Sequence, residues 1–176
     1  RQRQMCIRDS RNSVEGFVEA VKAIAPTFGG INLEDIKSPE CFEIERRLKE
    51  ELDIPVMHDD QHGTAIISGA ALLNGLEVVE KPIEKVKVVI SGAGASAISC
   101  ARHYLRLGVD PINLFMCDSK GLLTKKRGDK GELNEYKMQF AQDLPNNTLG
   151  ELMKDADVFL GLSKGGVVDK LSLIHI

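Results

Sequence analysis

The chain has 176 residues, of which 23 are lysine or arginine and 26 are aspartate or glutamate, so its formal net charge is −3. A hydrophobic fraction of 43% with 28% charged residues is that of an ordinary globular protein and excludes a disordered or fibrous chain. No polybasic field indicates binding to nucleic acid, and the longest charge-free stretch, residues 63–76, is too short to span a bilayer.

The first part of the chain predicts two helices around one short strand. An apolar stripe over residues 14–24 recurs every three to four positions, which predicts an amphipathic helix. A strand at 31–33 follows. Ser38-Pro39 then predicts the start of a second helix, with Ser as the cap and Pro at the first helical position.

A long apolar helix follows the second strand. The strand is predicted at 54–57, and the helix at about 63–78 is rich in Ala, Ile and Leu with few polar positions. Since this helix is apolar on all sides, we expect it to be buried nearly all round.

The remainder of the chain alternates between strands and helices. A β-branched strand at 86–90 leads into a helix whose apolar face includes residues 97–105. A strand, a polar excursion, two short helices and a third strand follow at 112–117, 121–131, 134–142, 148–155 and 158–160. This alternation predicts an α/β fold with a parallel sheet and right-handed crossovers.

The two ends fit the rest of the chain poorly. Residues 1–10 show neither helical nor strand periodicity, and residues 171–176 stop without a cap or a turn. Both strings resemble translated sequencing-adapter sequence, so we expect non-native ends and exclude them from the fold prediction.

The four cysteines show no metal or disulfide signature. They lie far apart, without a C-x-x-C pair or a histidine at zinc-finger spacing. The sequence also begins without the apolar segment of a secretory signal. Reduced thiols in a cytoplasmic protein are therefore expected for Cys6, Cys41, Cys100 and Cys117.

A glycine-rich turn fits the G-x-G-x-x-G/A pattern between a strand and a helix, which is the context that a dinucleotide-binding turn requires. Gly92 would make the tight turn, Gly94 would let a pyrophosphate approach the backbone, and Ala97 would permit close packing of the helix. Asp118 follows at the end of the next strand, where a carboxylate can bind the adenosine ribose. An unrelated turn of similar composition is the alternative. The segment comprises Gly92, Ala93, Gly94, Ala95, Ser96 and Ala97.

Two acidic pairs, Glu34-Asp35 and Asp59-Asp60, close the first two predicted strands. Open α/β sheets collect ligands at the carboxyl ends of their strands. Neighbouring side chains of an extended chain point to opposite faces, so a pair converges on one point only where the backbone bends. Converging carboxylates without cysteine are typical of Mg²⁺ or Mn²⁺ rather than zinc. The alternative is solvated acids at strand ends, which spacing alone favours.

Two other polar groups are interpreted without a direct role. His58 and His62 flank the second acidic pair, but the predicted helix begins after them, so we interpret them as turn residues or as supports of a site rather than ligands. The basic run Lys125-Lys126-Arg127 is interpreted as a solvated loop without function.

Four segments together closely resemble bacterial malic enzymes in their residues, order and spacing. They are F-G-G-I-N-L-E-D-I at 28–36, I-P-V-M-H-D-D-Q-H-G-T-A at 54–65, V-V-I-S-G-A-G-A-S-A at 88–97 and C-D-S-K-G at 117–121. The resemblance runs from about Val14 to Val168. It implies a truncated Rossmann-like dinucleotide domain at 61–170, preceded by the C-terminal part of an α/β substrate and metal domain at 11–60.

The resemblance also implies roles for particular residues. Asp59 would support catalysis beside the metal without binding it. Thr64 would lie beside the nucleotide, and the loop 162–165, which includes Ser163, would border the nicotinamide half. The Mg²⁺ or Mn²⁺ ligands of the family map onto Glu34, Asp35 and Asp60.

The activity implied by the resemblance is oxidative decarboxylation of malate to pyruvate and CO₂ with reduction of NAD or NADP. The metal would polarise the forming carbonyl and stabilise the enolate left when CO₂ departs. The Tyr and Lys that transfer protons in the family precede this segment, and a substrate-binding Asn motif follows it. We therefore expect an internal fragment that is inactive alone. For the full-length protein the family implies a homodimer, and no nucleic-acid or membrane partner is expected.

The choice of cofactor is less constrained. Asp118 should repel a 2′-phosphate and favour NAD slightly, whereas Ser119 and Lys120 could accommodate the 2′-phosphate of NADP.

Two other functions stay open. Another Rossmann-fold dehydrogenase, of the amino-acid or methylene-folate type, would need no metal. A non-enzymatic nucleotide-binding module would bind the cofactor without chemistry.

Overall fold

The computed structural model describes residues 13–145 and 147–168. The chain divides into two compact units, the first ending at Asp60 and the second beginning at Gln61. The expected non-native ends lie outside the described residues. Of the four cysteines, Cys6 also lies outside them, and the other three are free and buried.

The first unit pairs two helices with a two-stranded parallel sheet. Its elements are helix α1 (Val14–Ile24), strand β1 (Ile31–Leu33), helix α2 (Glu40–Glu51) and strand β2 (Val56–His58). The strands are in parallel register, with Leu33 opposite His58. The two helices and the strands enclose one apolar cluster, which provides the core of this unit. The cluster consists of Val18, Leu33, Ile44, Leu48 and Val56.

Helix α2 begins differently from its prediction. Pro39 rather than Ser38 is the N-cap, the Ser38–Pro39 peptide is cis, and no side chain caps the helix. The prediction of a serine cap was therefore wrong. Backbone carbonyls replace it, since the amide of Cys41 donates to Lys37 O and that of Phe42 to Pro39 O.

The second unit contains the larger sheet. Its elements are helix α3 (Asp59–Val78, which starts two residues before the unit), strand β3 (Val88–Ser91), helix α4 (Ala95–Leu107), strand β4 (Leu114–Asp118), strand β5 (Gly121–Leu122), helices α5 (Lys125–Asp129), α6 (Glu135–Met138) and α7 (Leu149–Met153), and strand β6 (Val158–Gly161). The strand order is β5-β4-β3-β6. Strand β3 pairs in parallel with both β4 and β6, whereas β5 is antiparallel to β4. The predicted α/β fold with a parallel sheet is confirmed, with one antiparallel edge strand added.

Strand β3 lies at the centre of this sheet because its sequence can be buried on both faces. Val88, Val89 and Ile90 have no exposed surface. A continuous β-branched run of this kind is typical of a strand covered on both sides. Gly108, at φ 117°, ends the helix that follows.

Helix α3 is exposed on one side, and the expectation of burial all round was wrong. The exposed fraction is 74% at Ile67 and 83% at Val78. The buried positions recur every three to four residues, which is one face of a helix. They are Gln61, Ala65, Gly69, Leu72 and Leu76. Within residues 13–145 and 147–168, no helix has the length and apolar character needed to cross a membrane.

Candidate functional site

The two acidic pairs emerge at the same edge of the small sheet, because β1 and β2 run in parallel and end in register. Asp35 adopts a left-handed backbone conformation with φ 57°. This is the bend that the sequence requires if neighbouring carboxylates are to approach one point. The amide of Asp35 donates a hydrogen bond to Oδ2 of Asp60 at 2.8 Å, which joins the two strand ends.

The remaining carboxylates of this edge are not gathered around that hydrogen bond. Glu34 is exposed, and its Oε1 accepts a hydrogen bond from the side-chain Nδ2 of Asn32 at 2.9 Å. Asp59 is exposed and opens α3. Within the described part of the chain, no group of three or more His, Cys, Asp or Glu side chains is positioned to hold a metal ion. The predicted ligands Glu34, Asp35 and Asp60 are carboxylates without a thiolate, and this donor chemistry is the kind that Mg²⁺ or Mn²⁺ prefers.

His58 ends β2 as a completely buried side chain, so the interpretation of this histidine as a turn residue was wrong. Its Nδ1 lies 4.0 Å from Oδ2 of Asp60. His62 lies inside α3, because that helix begins at Asp59 and not after His62 as expected. The early helix start places Asp60 in the first turn.

The glycine-rich turn lies between β3 and α4 and is shaped by a close backbone contact. Gly92 has φ 124°, and its amide donates to Cys117 O at 2.8 Å. A Cβ atom at this position would lie 2.6 Å from the carbonyl oxygen of Leu162. Glycine is required here by the positive φ and by the segment after β6, whose Leu162 amide in turn bonds Ser91 O at 2.8 Å.

Gly94 is the N-cap of α4 and faces open space. No atom lies within 4 Å of a Cβ built on Gly94. The first amides of a helix have no partner within it and favour anions. Ala97, by contrast, is 1% exposed, as close helix packing requires. The backbone at Gly94 is therefore accessible to a ligand, while the first turn of α4 is tightly packed at Ala97.

A cleft of about 830 Å³ opens beside this turn, within the size range of ligand pockets. Thr64 on α3 and Ala95, Ser96 and Ala97 in the first turn of α4 are not among the residues that line it. Five of the predicted cofactor-binding residues do line it: Gly92, Ala93, Gly94, Asp118 and Ser163. Their roles stay predictions, but the structure brings these five together.

Asp118 at the end of β4 is held by an arginine that sequence analysis missed. Arg127 donates from Nη1 to Oδ1 at 3.0 Å and from Nη2 to Oδ2 at 2.8 Å, and the amide of Lys120 donates to Oδ1 at 2.9 Å. Burial raises the pKa of Asp118, but the hydrogen bonds from Arg127 and Lys120 outweigh it and hold the pKa below its usual value. Asp118 is therefore an ionised carboxylate at neutral pH.

The interpretation of the basic run as a solvated loop was wrong for Arg127. Its exposed fraction is 7%, whereas Lys125 and Lys126 are exposed. The run forms α5, capped by the side chain of Thr124. Thr124, directly before the run, is a sequence signal for the start of a helix, but no sequence signal predicts the pairing of Arg127 with Asp118.

Two further groups of the cleft wall bear on its chemistry. Burial raises the pKa of the Cys117 thiol to about 11, so this side chain is a neutral thiol and not a nucleophile at neutral pH. The hydroxyl oxygens of Ser91 and Ser163 lie 3.0 Å apart, which ties the loop after β6 to the end of β3. Cys117 therefore supplies no nucleophilic thiolate to the cleft wall at neutral pH.

Comparison with known proteins gives consistent matches for both units. Residues 1–49 match the model of the malic enzyme N-terminal domain, and residues 61–163 match that of the malic enzyme NAD-binding domain. The chain is 51% identical over 156 residues to an NAD-dependent malic enzyme of Rhizobium meliloti and 55% identical over 148 residues to an NADP-dependent malic enzyme of Salmonella typhimurium. These alignments cover 89% and 84% of this chain.

Solved structures agree with this similarity. The NAD-dependent malic enzyme of Thermotoga maritima superposes with a TM-score of 0.85 at 40% identity, covering 95% of this chain and 45% of that chain. The malic enzyme of Entamoeba histolytica gives a TM-score of 0.85 at 36% identity, covering 95% and 36%. The chain spans about a fifth of the length of the two curated relatives named above, 20% and 19%.

Proposed function

Because this chain belongs to the malic enzyme family, we propose that the complete protein oxidises malate and decarboxylates it to pyruvate and CO₂, with NAD or NADP as hydride acceptor and with Mg²⁺ or Mn²⁺. The dinucleotide binds in the cleft beside the glycine-rich turn, and the metal binds at the edge of the small sheet. We further propose a cytoplasmic homodimer, in line with the dispersed free thiols and the family resemblance.

The observation that supports the metal-dependent reaction is the hydrogen bond from the Asp35 amide to the Asp60 carboxylate. It brings together the ends of two strands that each carry an acidic pair. A dehydrogenase without a metal has no need for two acidic pairs at one edge of a sheet, so this feature favours malic enzyme chemistry over an amino-acid or methylene-folate dehydrogenase.

The residues of the first unit would hold the cation through oxygen ligands. Glu34, Asp35 and Asp60 supply the carboxylates, and Asp59 supports them from the start of α3. When bound, the cation withdraws electron density from the C2 oxygen of malate and stabilises the negative charge that develops as CO₂ leaves. Its carboxylate ligands fix its position, so the substrate is oriented by the sheet edge.

The residues of the second unit would bind and orient the cofactor. The open backbone at Gly94 receives the pyrophosphate beside the first amides of α4. Asp118 receives the adenosine ribose, and the loop that contains Ser163 borders the nicotinamide half. The nicotinamide ring supplies the hydride acceptor when the cofactor is bound.

The proton-transfer Tyr and Lys of the family are proposed to lie outside this segment, so the 176-residue chain should be inactive by itself. A general acid or base contributes about 10²-fold to 10⁴-fold. Loss of both, together with the substrate-positioning residues, should remove measurable turnover while cofactor binding persists weakly.

The test compares the complete protein with the 176-residue chain under the same conditions. NADH or NADPH formation is followed with malate, with and without Mn²⁺. We expect Mn²⁺-dependent turnover and pyruvate formation by the complete protein and none by the chain. Turnover without added metal after chelation would favour another Rossmann-fold dehydrogenase, and cofactor binding without turnover would favour a binding module. Activity of the chain alone would show that its acid and base lie within it.

A further inference from the structure

His58 is a buried histidine whose two ring nitrogens are both unpaired. The side chain has no exposed surface, and neither Nδ1 nor Nε2 has a hydrogen-bond partner in the portion of the chain that the structure covers. An imidazole always carries at least one N–H donor. Because a buried donor without an acceptor lowers stability, this ring calls for an explanation beyond packing.

The position of His58 in β2 favours an apolar residue. The side chains of this strand alternate, with Val56 and His58 buried and Met57 exposed. Val56 belongs to the apolar cluster of the first unit, as does Leu33, which lies opposite His58 in the sheet. Leucine in place of His58 would remove an unpaired donor from this sheet face, so stability alone does not account for the histidine.

Asp60 carries an acceptor that can pair with the ring. Nδ1 of His58 lies 4.0 Å from Oδ2 of Asp60, about 1 Å beyond hydrogen-bond distance. The side chain of Asp60 is 42% exposed and can move over that distance, whereas the buried ring of His58 is confined. In the tautomer with its hydrogen on Nδ1, the ring directs its donor at this carboxylate, and Nε2 carries none.

A hydrogen bond from His58 would complete the partners of one carboxylate oxygen. Each carboxylate oxygen has two acceptor positions, and Oδ2 of Asp60 already accepts from the amide of Asp35 at 2.8 Å. Nδ1 of His58 would fill the second position and fix the rotation of the carboxylate group. Oδ1 would then be the oxygen that faces the cation.

We propose that His58 is a positioning residue for Asp60, whose Oδ2 accepts a hydrogen bond from Nδ1 of His58 when the cation is bound. This inference rests on the proposed function, because it concerns the same carboxylate edge. His58 acts through Asp60 and does not bind the cation. The unpaired donor lowers the stability of the protein without metal, and it finds its acceptor when the metal site is complete.

The experiment compares three replacements of His58 in the complete protein, with Mn²⁺ alone as the probe. His58→Asn places an amide N–H at the same number of bonds from the backbone as Nδ1, His58→Gln places it as far out as Nε2, and His58→Leu removes both nitrogens. In calorimetric titration, the asparagine variant should keep Mn²⁺ affinity within about threefold, and the glutamine and leucine variants should lose about tenfold or more.

Denaturant unfolding without metal distinguishes positioning from a structural role. Leucine should keep or raise the stability, because it removes the unpaired donor, even as it lowers Mn²⁺ affinity. If the leucine variant does not fold, the comparison of asparagine with glutamine makes the same test. Equal losses of affinity in the asparagine and glutamine variants would overturn the role of His58, since the place of the donor would then be irrelevant.

His103→Leu is the matched control, because His103 lies on α4 and is no part of the small sheet. Its Mn²⁺ affinity should equal that of the unaltered protein. His58→Leu is also made in an Asp60→Ala background, which lacks the acceptor. There it should change Mn²⁺ affinity less than about twofold, because the two changes are coupled. A loss as large as in the unaltered background would overturn the action through Asp60.

Failure of this inference can be told apart from failure of the proposed function. Unchanged Mn²⁺ affinity in the leucine and glutamine variants overturns the role of His58 and leaves the metal-dependent reaction standing. Absence of Mn²⁺ binding by the unaltered complete protein overturns the metal site itself, and with it both proposals.

Discussion

The carboxylate edge of the small sheet and the cleft of the larger sheet are assembled in different ways. The cleft is shaped by backbone contacts and by a buried ion pair, with Gly92 against Leu162 and Asp118 against Arg127. At the carboxylate edge, the Asp35 amide is bonded to the Asp60 side chain, while Glu34 and Asp59 are exposed.

This difference follows from the charges involved. Backbone amides and glycines carry no net charge, so a phosphate-binding turn can be packed in advance. Carboxylates repel one another, and they converge closely only when a cation compensates them. We therefore expect the proposed nucleotide site to be formed by folding, whereas the proposed metal site would be completed by its ion.

The largest effect is expected from Gly92→Ala, which attacks the preformed cleft. The added Cβ would lie 2.6 Å from Leu162 O, and φ 124° disfavours any residue with a side chain. We expect a loss of about 2–4 kcal/mol in the free energy of unfolding and no detectable NADH binding. Denaturant unfolding and NADH fluorescence measure the two effects.

Gly150→Ala is the control for this change. Gly150 lies in α7, and no atom lies within 4 Å of its added Cβ, so alanine should be neutral or stabilising by about 0.5–1 kcal/mol. Equal stability of the two variants would show that the contact between Gly92 and Leu162 is not tight.

The next largest effect is expected from Asp60→Asn, which attacks the carboxylate edge. Asparagine can still accept the hydrogen bond from the Asp35 amide, so the fold should be kept. Loss of one anionic ligand should weaken Mn²⁺ binding about a hundredfold in the complete protein. Mn²⁺ titration measures the loss of affinity, and denaturant unfolding of the same variant checks that its stability is retained.

Asp53→Asn serves as the comparison, because Asp53 is an exposed acid in the turn between α2 and β2. We expect its Mn²⁺ affinity to match that of the unaltered protein. If both variants lose metal affinity alike, the effect is one of general charge and Asp60 is not a ligand.

The smallest effect is expected from Gly94→Ala, which should change cofactor affinity without changing the stability of the fold. The position has φ −89° and open space around it, so stability should not change. A methyl group there obstructs the approach of the pyrophosphate, and NADH affinity should fall about tenfold. An unchanged affinity would mean that the phosphates do not pass close to Gly94.

Strands and helices were largely predictable where local pattern determines them, but their exposure was not. The β-branched run before Ser91 predicted the central strand within two residues. The uniformly apolar composition of α3 could not show which of its faces is covered, because coverage depends on what packs against it.

In the candidate site, too, locally encoded features were predictable and long-range contacts were not. The glycine pattern is a local property of the chain, and it predicted residues that the structure brings together around one cleft. The pairing of Arg127 with Asp118 depends on the antiparallel turn of β5, which reverses the chain between them. No local pattern encodes such a turn with its ion pair, so the basic run was interpreted as solvated.

The left-handed backbone at Asp35 limits which residues can be tolerated there. Asp and Asn adopt φ near 57° more readily than most residues, and Gly adopts it freely, whereas branched and long side chains do so at a cost. If the carboxylate is also needed for the cation, Asn and Gly satisfy the backbone but not the charge, and Glu satisfies the charge but not the backbone. In a library of all substitutions, position 35 would then accept aspartate alone for function. Position 155, with φ 58° and no proposed ligand role, would accept Asn and Gly as well.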